Sequence, residues 1–155
     1  MNARVIGGGP AGASAALVLA TAGASPIVFE QSAFPRHKVC GEFLSPEILP
    51  LLEQLGVGEA FLVMHPAVVG FAELHFDRRS RRFRLPEPAW GLSRYAFDEM
   101  LLGAAVERGA ELRHERGSAS TRAILAAGRR AAASRGARAF GFKAHFRGAA
   151  NDAVE

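Results

Sequence analysis

The sequence predicts an α/β fold: a Rossmann-type core with the start of an antiparallel sheet attached to it. Three observations carry this prediction. The first 30 residues run through a short apolar strand, a glycine-rich turn, an alanine-rich helix and a second strand. Later segments alternate apolar and polar residues, as the strands of an antiparallel sheet do. The chain has 155 residues, 49% of them hydrophobic, which is enough for an ordinary folded core.

Composition excludes several classes of protein. No stretch approaches the roughly 18 consecutive apolar residues of a transmembrane helix, so we expect no stable membrane insertion. Cys40 is the single cysteine, which excludes an internal disulfide framework and favours a reducing, cytoplasmic location. The five histidines show no metal-ligand spacing with cysteine or carboxylate, so no metal site is predicted. Residues 1–24 loosely imitate a secretory signal, but the segment 7–10 interrupts the required apolar run.

The first predicted unit is a βαβ motif. Ala3–Ile6 reads as a short strand, and 7–12 as the glycine-rich turn. Ala13–Ala22 predicts a helix that Gly23 closes, and Pro26–Phe29 predicts the second strand. Such units are parallel and right-handed, so both strands should lie in one sheet with the helix on its face.

A second helix is predicted after a long loop. Ser45 has the residue type of an N-cap, and Pro46 suits the first helical position. The helix should run to about Leu55, and Pro50 is expected to kink or restart it.

Antiparallel strands are predicted in two places. Val68–Phe76 and Arg82–Leu85 should form a hairpin around a five-residue turn at 77–81. Phe140–Phe146 places its phenylalanines on one side, as a strand with one apolar face does.

The remaining elements return to the Rossmann-type pattern. Ser93 should cap a helix over Arg94–Arg108, whose apolar residues recur at helical spacing. Glu111–His114 predicts a strand, and Arg122–Ala126 predicts another before a turn at Gly128.

The turn carries a dinucleotide-binding pattern, Gly7-x-Gly9-x-x-Gly12. In this pattern the first glycine allows a tight turn, the second lets the backbone approach a pyrophosphate, and the third lets helix and strand pack closely. Glu30 ends the second strand, where a carboxylate can accept both ribose hydroxyls of an adenosine and repel a 2′-phosphate. FAD or NAD is therefore favoured over NADP. A P-loop is excluded because no Gly-Lys-Ser/Thr follows the glycines.

Three segments carry a family resemblance. Phe34–Pro46 resembles the loop after the ribose-binding acid in the geranylgeranyl reductase-like group of FAD-dependent oxidoreductases. That group is related to hydroxylases of the para-hydroxybenzoate hydroxylase type and to flavin-dependent halogenases. Leu92–Asp98 is similar to the group's serine-arginine-x-x-x-aspartate helix start, and Gly141–Phe146 is similar to a strand of some members.

The resemblance implies a set of cofactor-binding residues but no catalytic residue. The glycine loop would hold the FAD pyrophosphate and Glu30 the adenosine ribose. Cys40, Gly41 and Phe43 would lie along the flavin side of the cofactor. Arg94 would contact FAD from the start of its helix. The implied cofactor-binding residues are Gly7, Gly9, Pro10, Ala11, Gly12, Glu30, Lys38, Cys40, Gly41, Phe43 and Arg94.

The resemblance also implies a function and a division of the chain. The chain would be an FAD-dependent oxidoreductase that acts on an organic, apolar small molecule by flavin-mediated hydride transfer, with NAD(P)H as a candidate reductant. Residues 1–65 and 92–138 would form the FAD-binding core, and 66–91 with 139–155 a partial substrate domain. The alternative is a truncated, catalytically incompetent dinucleotide-binding remnant. It is suggested by a missing meander and by Ala127-Gly128, where the hydroxylases have aspartate-glycine.

Three local alternatives stay open at this point. The basic neighbours Arg36 and Lys38 favour a reactive thiolate at Cys40, whereas a flavin ring would simply need a small residue there. These two basic side chains suit a phosphate or an anionic substrate as well as they suit solvent. Five arginines between 78 and 84 could bind nucleic acid or an anionic membrane, but a solvated hairpin without nucleic acid is favoured.

Overall fold

The computed structural model describes residues 3–40, 42–118, 122–128 and 153–154, and it has the predicted α/β class with one parallel and one antiparallel sheet. The elements in chain order are β1 (Arg4–Ile6), α1 (Pro10–Thr21), β2 (Ile27–Phe29), β3 (Phe43–Leu44), α2 (Ile48–Gln54), α3 (Gly58–Val63), β4 (Ala67–Phe76), β5 (Arg79–Gly91), α4 (Arg94–Glu107), β6 (Glu111–Arg113), β7 (Ala123–Leu125) and β8 (Ala153–Val154). The predicted strand Phe140–Phe146 and the predicted site residue Gly41 lie outside the described residues.

The chain divides into two compact units. The first comprises Met1–Lys38 and Arg94–Ala139, and the second comprises Val39–Ser93 and Phe140–Glu155. The sequence-based division placed residues 39–65 with the first part, whereas the structure groups them with the second unit. The assignment of a cofactor role to one part and a substrate role to the other stays a prediction.

The first unit is built on a four-stranded parallel sheet in the order β6-β2-β1-β7. β1 lies at its centre, paired with β2 on one side and β7 on the other. Val5 and Val28 are register partners in the two inner strands and are fully buried, as is typical of the inner strands of a parallel sheet. The carboxyl ends of these strands lie together at one edge, which is where the glycine-rich turn begins.

Helix α1 begins at Pro10, three residues before the predicted start at Ala13. Proline fits the first helical position because its fixed φ is helical and its missing N–H would have no partner there. Ala16 and Leu17 are fully buried along the helix. Gly23 ends it at φ 80°, and its N–H donates to the Ala20 carbonyl at 2.9 Å, as a C-terminal glycine commonly does.

Helix α4 packs against α1 within the same unit. Phe97, Leu101 and Ala105 recur at helical spacing and are buried, as the pattern predicted. The helix runs from Arg94 to Glu107, and Gly109 then reverses the chain at φ 104°. This packing brings the start of α4 to the glycine-rich turn that precedes α1, because the Arg94 side chain reaches Gly9.

The second unit is built on a sheet in the order β3-β5-β4-β8. The predicted five-residue turn is wrong, since Phe76 pairs with Arg79 and leaves a two-residue turn in which Asp77 has φ 52°. Asp tolerates this left-handed conformation better than most residues. β5 then continues to Gly91, well past the predicted end at Leu85.

The second unit also contains two short helices. α2 starts at Ile48 without the predicted kink, because Pro50 falls in the first turn, where a missing N–H costs no helical hydrogen bond. α3 was not predicted, and its Phe61 is fully buried with its ring edge-on to Trp90 at 5.9 Å between centroids. Within the described parts of the chain, no helix is long and apolar enough to cross a membrane.

Candidate functional site

Two glycines of the turn are required by the fold itself. Gly7 has φ 106°, a conformation that favours glycine, and a Cβ there would overlap the Ala126 carbonyl. Gly12 lies in the first turn of α1 directly against Gly7, and a Cβ there would overlap the Gly7 carbonyl oxygen. The first and third glycines therefore have structural causes that do not involve a ligand.

Gly9 is different. It is the N-cap of α1 with φ −72°, which any residue adopts. A Cβ at Gly9 would meet just one described atom within 4 Å, Nη2 of Arg94, at an ordinary contact distance of 3.8 Å. Neither backbone conformation nor packing explains why this residue is glycine. The remaining explanation is that a ligand needs the space in front of it.

That space is a cavity of about 780 Å³, and the described residues that line it all belong to the first unit. Gly7, Gly9, Pro10 and Ala11 line it at the start of α1, where no side chain caps the helix. Backbone N–H groups without helical partners and the positive end of the helix dipole favour an anion at such a position. Among the described residues, the charged side chains that line the cavity are Glu30, Arg36, Lys38, Arg94, Glu115 and Arg116. Four cations against two carboxylates suit a polyanionic ligand.

Glu30 stands at the end of β2 and is 6% exposed. Its carboxylate accepts the Gly8 N–H at 3.0 Å, the Ser32 N–H at 2.9 Å and Nη2 of Arg36 at 3.1 Å. Burial by itself would raise the pKa of Glu30, but the two backbone donors and the Arg36 charge outweigh it and hold the pKa below its usual value. The cavity therefore presents an ionised carboxylate at neutral pH, the form that accepts hydroxyl hydrogen bonds.

Arg94 is held by a buried partner. Its Nε donates to Oδ1 of Asp98 at 2.5 Å and its Nη2 donates to Oδ2 at 2.7 Å, which is a bidentate ion pair across one turn of α4. Asp98 is fully buried, whereas the Arg94 side chain is 19% exposed and lines the cavity. The guanidinium is thus anchored on one side and reaches the cavity on the other.

The structure brings part of the predicted site together. The predicted site residues that line the cavity are Gly7, Gly9, Pro10, Ala11, Glu30, Lys38 and Arg94. Gly12 is buried beneath the turn. Cys40 and Phe43 belong to the second unit; Cys40 is a half-buried free thiol whose sulfur accepts the Glu42 N–H at 3.5 Å. Their role beside a flavin stays a prediction, as do the cofactor roles of the other residues.

Sequence reasoning missed two features of the site. Asp98 lies within the helix-start pattern, which predicts no role for it. Its position four residues after Arg94 is nevertheless the signal for a helical ion pair. Arg116 also lines the cavity; it follows the end of β6, in a segment that carries no recognisable motif. No group of three or more potential metal ligands is found among residues 3–40, 42–118 and 122–128.

A parallel βαβ unit, a glycine turn opening a helix and an acid at the end of the second strand define a dinucleotide-binding domain of the Rossmann type. Comparison with known families narrows this class. The model of the FAD binding domain family matches residues 1–135, so the chain belongs to that family.

Relatives and solved structures agree with this family. The chain is 33% identical over 120 residues to the flavin-dependent halogenase armH4 of Armillaria mellea, covering 70% of this chain and 22% of that protein. It is 46% identical over 55 residues to menaquinone reductase of Mycobacterium tuberculosis, covering 36% of this chain and 14% of that protein. The flavin-dependent halogenase CmlS superposes with a TM-score of 0.64 at 30% identity, covering 72% of this chain and 22% of that one. The chain therefore spans less than a quarter of the length of these relatives.

Proposed function

We propose that this chain binds FAD through the cavity of its first unit and serves flavin-dependent oxidation or reduction of an organic, apolar small molecule. The observation that carries the proposal is Gly9, whose missing side chain has no cause in the described fold and opens onto the cavity. A pyrophosphate lying against the backbone requires such a position to be glycine.

The residues present fit the ADP half of FAD. The start of α1 offers backbone donors and a positive dipole to the pyrophosphate, and Arg94 adds a charged donor from the opposite helix. Glu30 is ionised and oriented by two backbone N–H groups, so it can accept the hydroxyls of the adenosine ribose. The same carboxylate would repel a 2′-phosphate, which supports FAD over NADP as the resident cofactor.

FAD, when bound, supplies hydride transfer at its flavin ring, and the protein's part is to hold and orient it. The finer proposal is a reductase of the geranylgeranyl reductase-like type, with NAD(P)H as the reductant. The segment Phe34–Pro46 supports it, because it resembles the loop of that group. The name of the mycobacterial relative, menaquinone reductase, supports an apolar organic substrate. The halogenase relatives support halogenation as the alternative reaction, which would replace this finer proposal if it were observed.

Calorimetric titration with FAD, ADP and FMN tests the cofactor proposal. We expect FAD and ADP to bind at one site and to compete, because the described contacts are with the ADP half. FMN lacks adenosine and one phosphate, so it should bind far more weakly. Equal affinity for FMN and FAD, or no competition by ADP, would contradict the assignment of this cavity.

Steady-state assays then separate the finer alternatives. With FAD bound and an isoprenoid quinone present, oxidation of NADH or NADPH with loss of a substrate double bond supports the reductase proposal. Incorporation of halide into an aromatic acceptor, with oxygen and reduced flavin supplied, would replace it by a halogenase.

A further inference from the structure

The ion pair between Arg94 and Asp98 is not explained by a contribution to folding stability. Taking a carboxylate and a guanidinium out of water is costly, and a buried ion pair is often no more stable than apolar residues of the same size. Asp98 is nevertheless fully buried on α4, among apolar neighbours such as Phe97 and Leu101. A role in placing Arg94 accounts for a charge at this position.

The geometry of the pair fixes where the guanidinium points. Both carboxylate oxygens of Asp98 are engaged, one by Nε and one by Nη2, so the planar group is held at two points. Both residues lie on one rigid helix, four positions apart. Nη2 is the described atom nearest to the open side of Gly9, at 3.8 Å from an ideal Cβ position. Arg94 therefore stands over the start of α1, where the pyrophosphate subsite is expected.

We propose that Asp98 is a positioning residue, which holds the Arg94 guanidinium as one wall of the diphosphate subsite. This inference rests on the proposed function, since it assigns a role within the same cavity. It also places the contact of Arg94 at the pyrophosphate, in the middle of the cofactor, and not at the reacting ring. Fixing the side chain in advance reduces the conformational entropy lost when the ligand binds.

Positioning and simple electrostatics make opposite predictions for Asp98→Asn. Asparagine removes one negative charge behind the guanidinium, so Coulomb's law alone predicts tighter binding of a diphosphate. Asparagine also replaces one acceptor oxygen by an amide that donates, so the two-point hold is lost. If Asp98 acts by positioning, diphosphate binding weakens in spite of the more favourable charge.

The experiment compares ADP with adenosine in calorimetric titrations of the full chain. For Asp98→Asn we expect ADP affinity to fall by about ten-fold, of the order of one charge-assisted hydrogen bond, with adenosine affinity unchanged. Glu99→Gln is the matched control, because it makes the same charge change on the neighbouring, exposed residue of α4. Its ADP affinity should equal that of the wild type.

A second variant keeps the inference testable if Asp98→Asn folds poorly. Arg94→Lys retains the charge and Asp98 but cannot form a two-point hold, so it should lose ADP affinity to a similar extent. If Asp98→Asn binds ADP as tightly as the wild type or tighter, or if adenosine affinity falls in parallel, the positioning role is wrong. If the wild type itself binds neither ADP nor FAD, the proposed function fails, and this inference fails with it.

Discussion

Replacing Gly9 by valine is expected to abolish FAD binding while the first unit stays folded. The reason lies in the surroundings of this glycine. Its φ of −72° suits any residue, and among the described atoms its Cβ position meets just Nη2 of Arg94, at an ordinary contact distance. The branched side chain would extend into the cavity, at the place where the pyrophosphate is expected to lie against the backbone.

The two effects of Gly9→Val differ greatly in size. A branched apolar residue at a helix N-cap costs about 1 kcal/mol of folding stability, which lowers Tm by about 2–4 °C in a chain of this length. Displacing the pyrophosphate removes at least two charge-assisted hydrogen bonds, each worth about 1.5–3 kcal/mol, so affinity should fall by about a hundred-fold or more.

Gly12→Ala is the matched control, because it should affect folding stability more than ligand binding. Its single added carbon would overlap the Gly7 carbonyl oxygen, so the turn or the helix has to move. Overpacking of this kind costs about 1–3 kcal/mol or more, with a fall in Tm of about 3–10 °C. The smaller substitution should therefore be the more destabilising one, whether or not a ligand is present.

Thermal unfolding followed by circular dichroism measures the first effect, and calorimetric titration with FAD measures the second. Native-like FAD affinity in Gly9→Val would refute the ligand explanation of this glycine. A loss of stability in Gly9→Val as large as that in Gly12→Ala would show that the fold itself requires both glycines.

Four further predictions follow from the charges of the site and of the hairpin. Glu30→Gln should lower FAD affinity about ten-fold in a calorimetric titration, because it removes the charge from the hydrogen bonds to the ribose. A gain in NADP binding with unchanged FAD affinity would instead show that Glu30 acts just by repelling a 2′-phosphate. Because the folded-state pKa of Glu30 is lowered, its stabilising contribution is present above its unfolded pKa and is lost as the pH falls through the lower folded value, so Glu30→Gln should lessen acid unfolding in that range. Arg36→Met removes the cation 3.1 Å from Glu30, so the pKa of Glu30 should rise in an NMR titration, and an unchanged pKa would contradict the pairing. The hairpin arginines at 78–84 should give no retention on DNA at physiological salt, and retention with a steep salt dependence would contradict a solvated hairpin.

The βαβ beginning of the chain could be predicted because its signals are local. Few folds are compatible with a glycine motif, an apolar helix and an acid 18 residues after Gly12. The first and third glycines have the structural causes that the pattern implies, a positive φ at Gly7 and close packing at Gly12. The pattern also predicted the approach of a pyrophosphate to Gly9. The open space at its Cβ position could not be predicted, because it depends on the side chains around it.

The parts that were missed depend on contacts distant in sequence or on a single backbone angle. The short helix α3 is held by Phe61 against Trp90, which lies 29 residues further along the chain. The hairpin turn is shorter than predicted because Asp77 adopts a left-handed conformation, which sequence favours but does not dictate. Asp98 was overlooked because a carboxylate within an amphipathic helix is usually exposed, whereas this one is buried against Arg94.

Equilibrium dialysis of the purified chain against FAD tests the central claim most directly, since it detects weak as well as tight binding. Wild type, Gly9→Val and Asp98→Asn would be compared after circular dichroism has shown each to be folded. The cavity assignment predicts saturable binding of one FAD per wild-type chain, displaced by ADP, with binding weakened in Asp98→Asn and lost in Gly9→Val. A folded wild-type chain that binds no FAD, or a Gly9→Val variant that binds it equally well, would contradict the account.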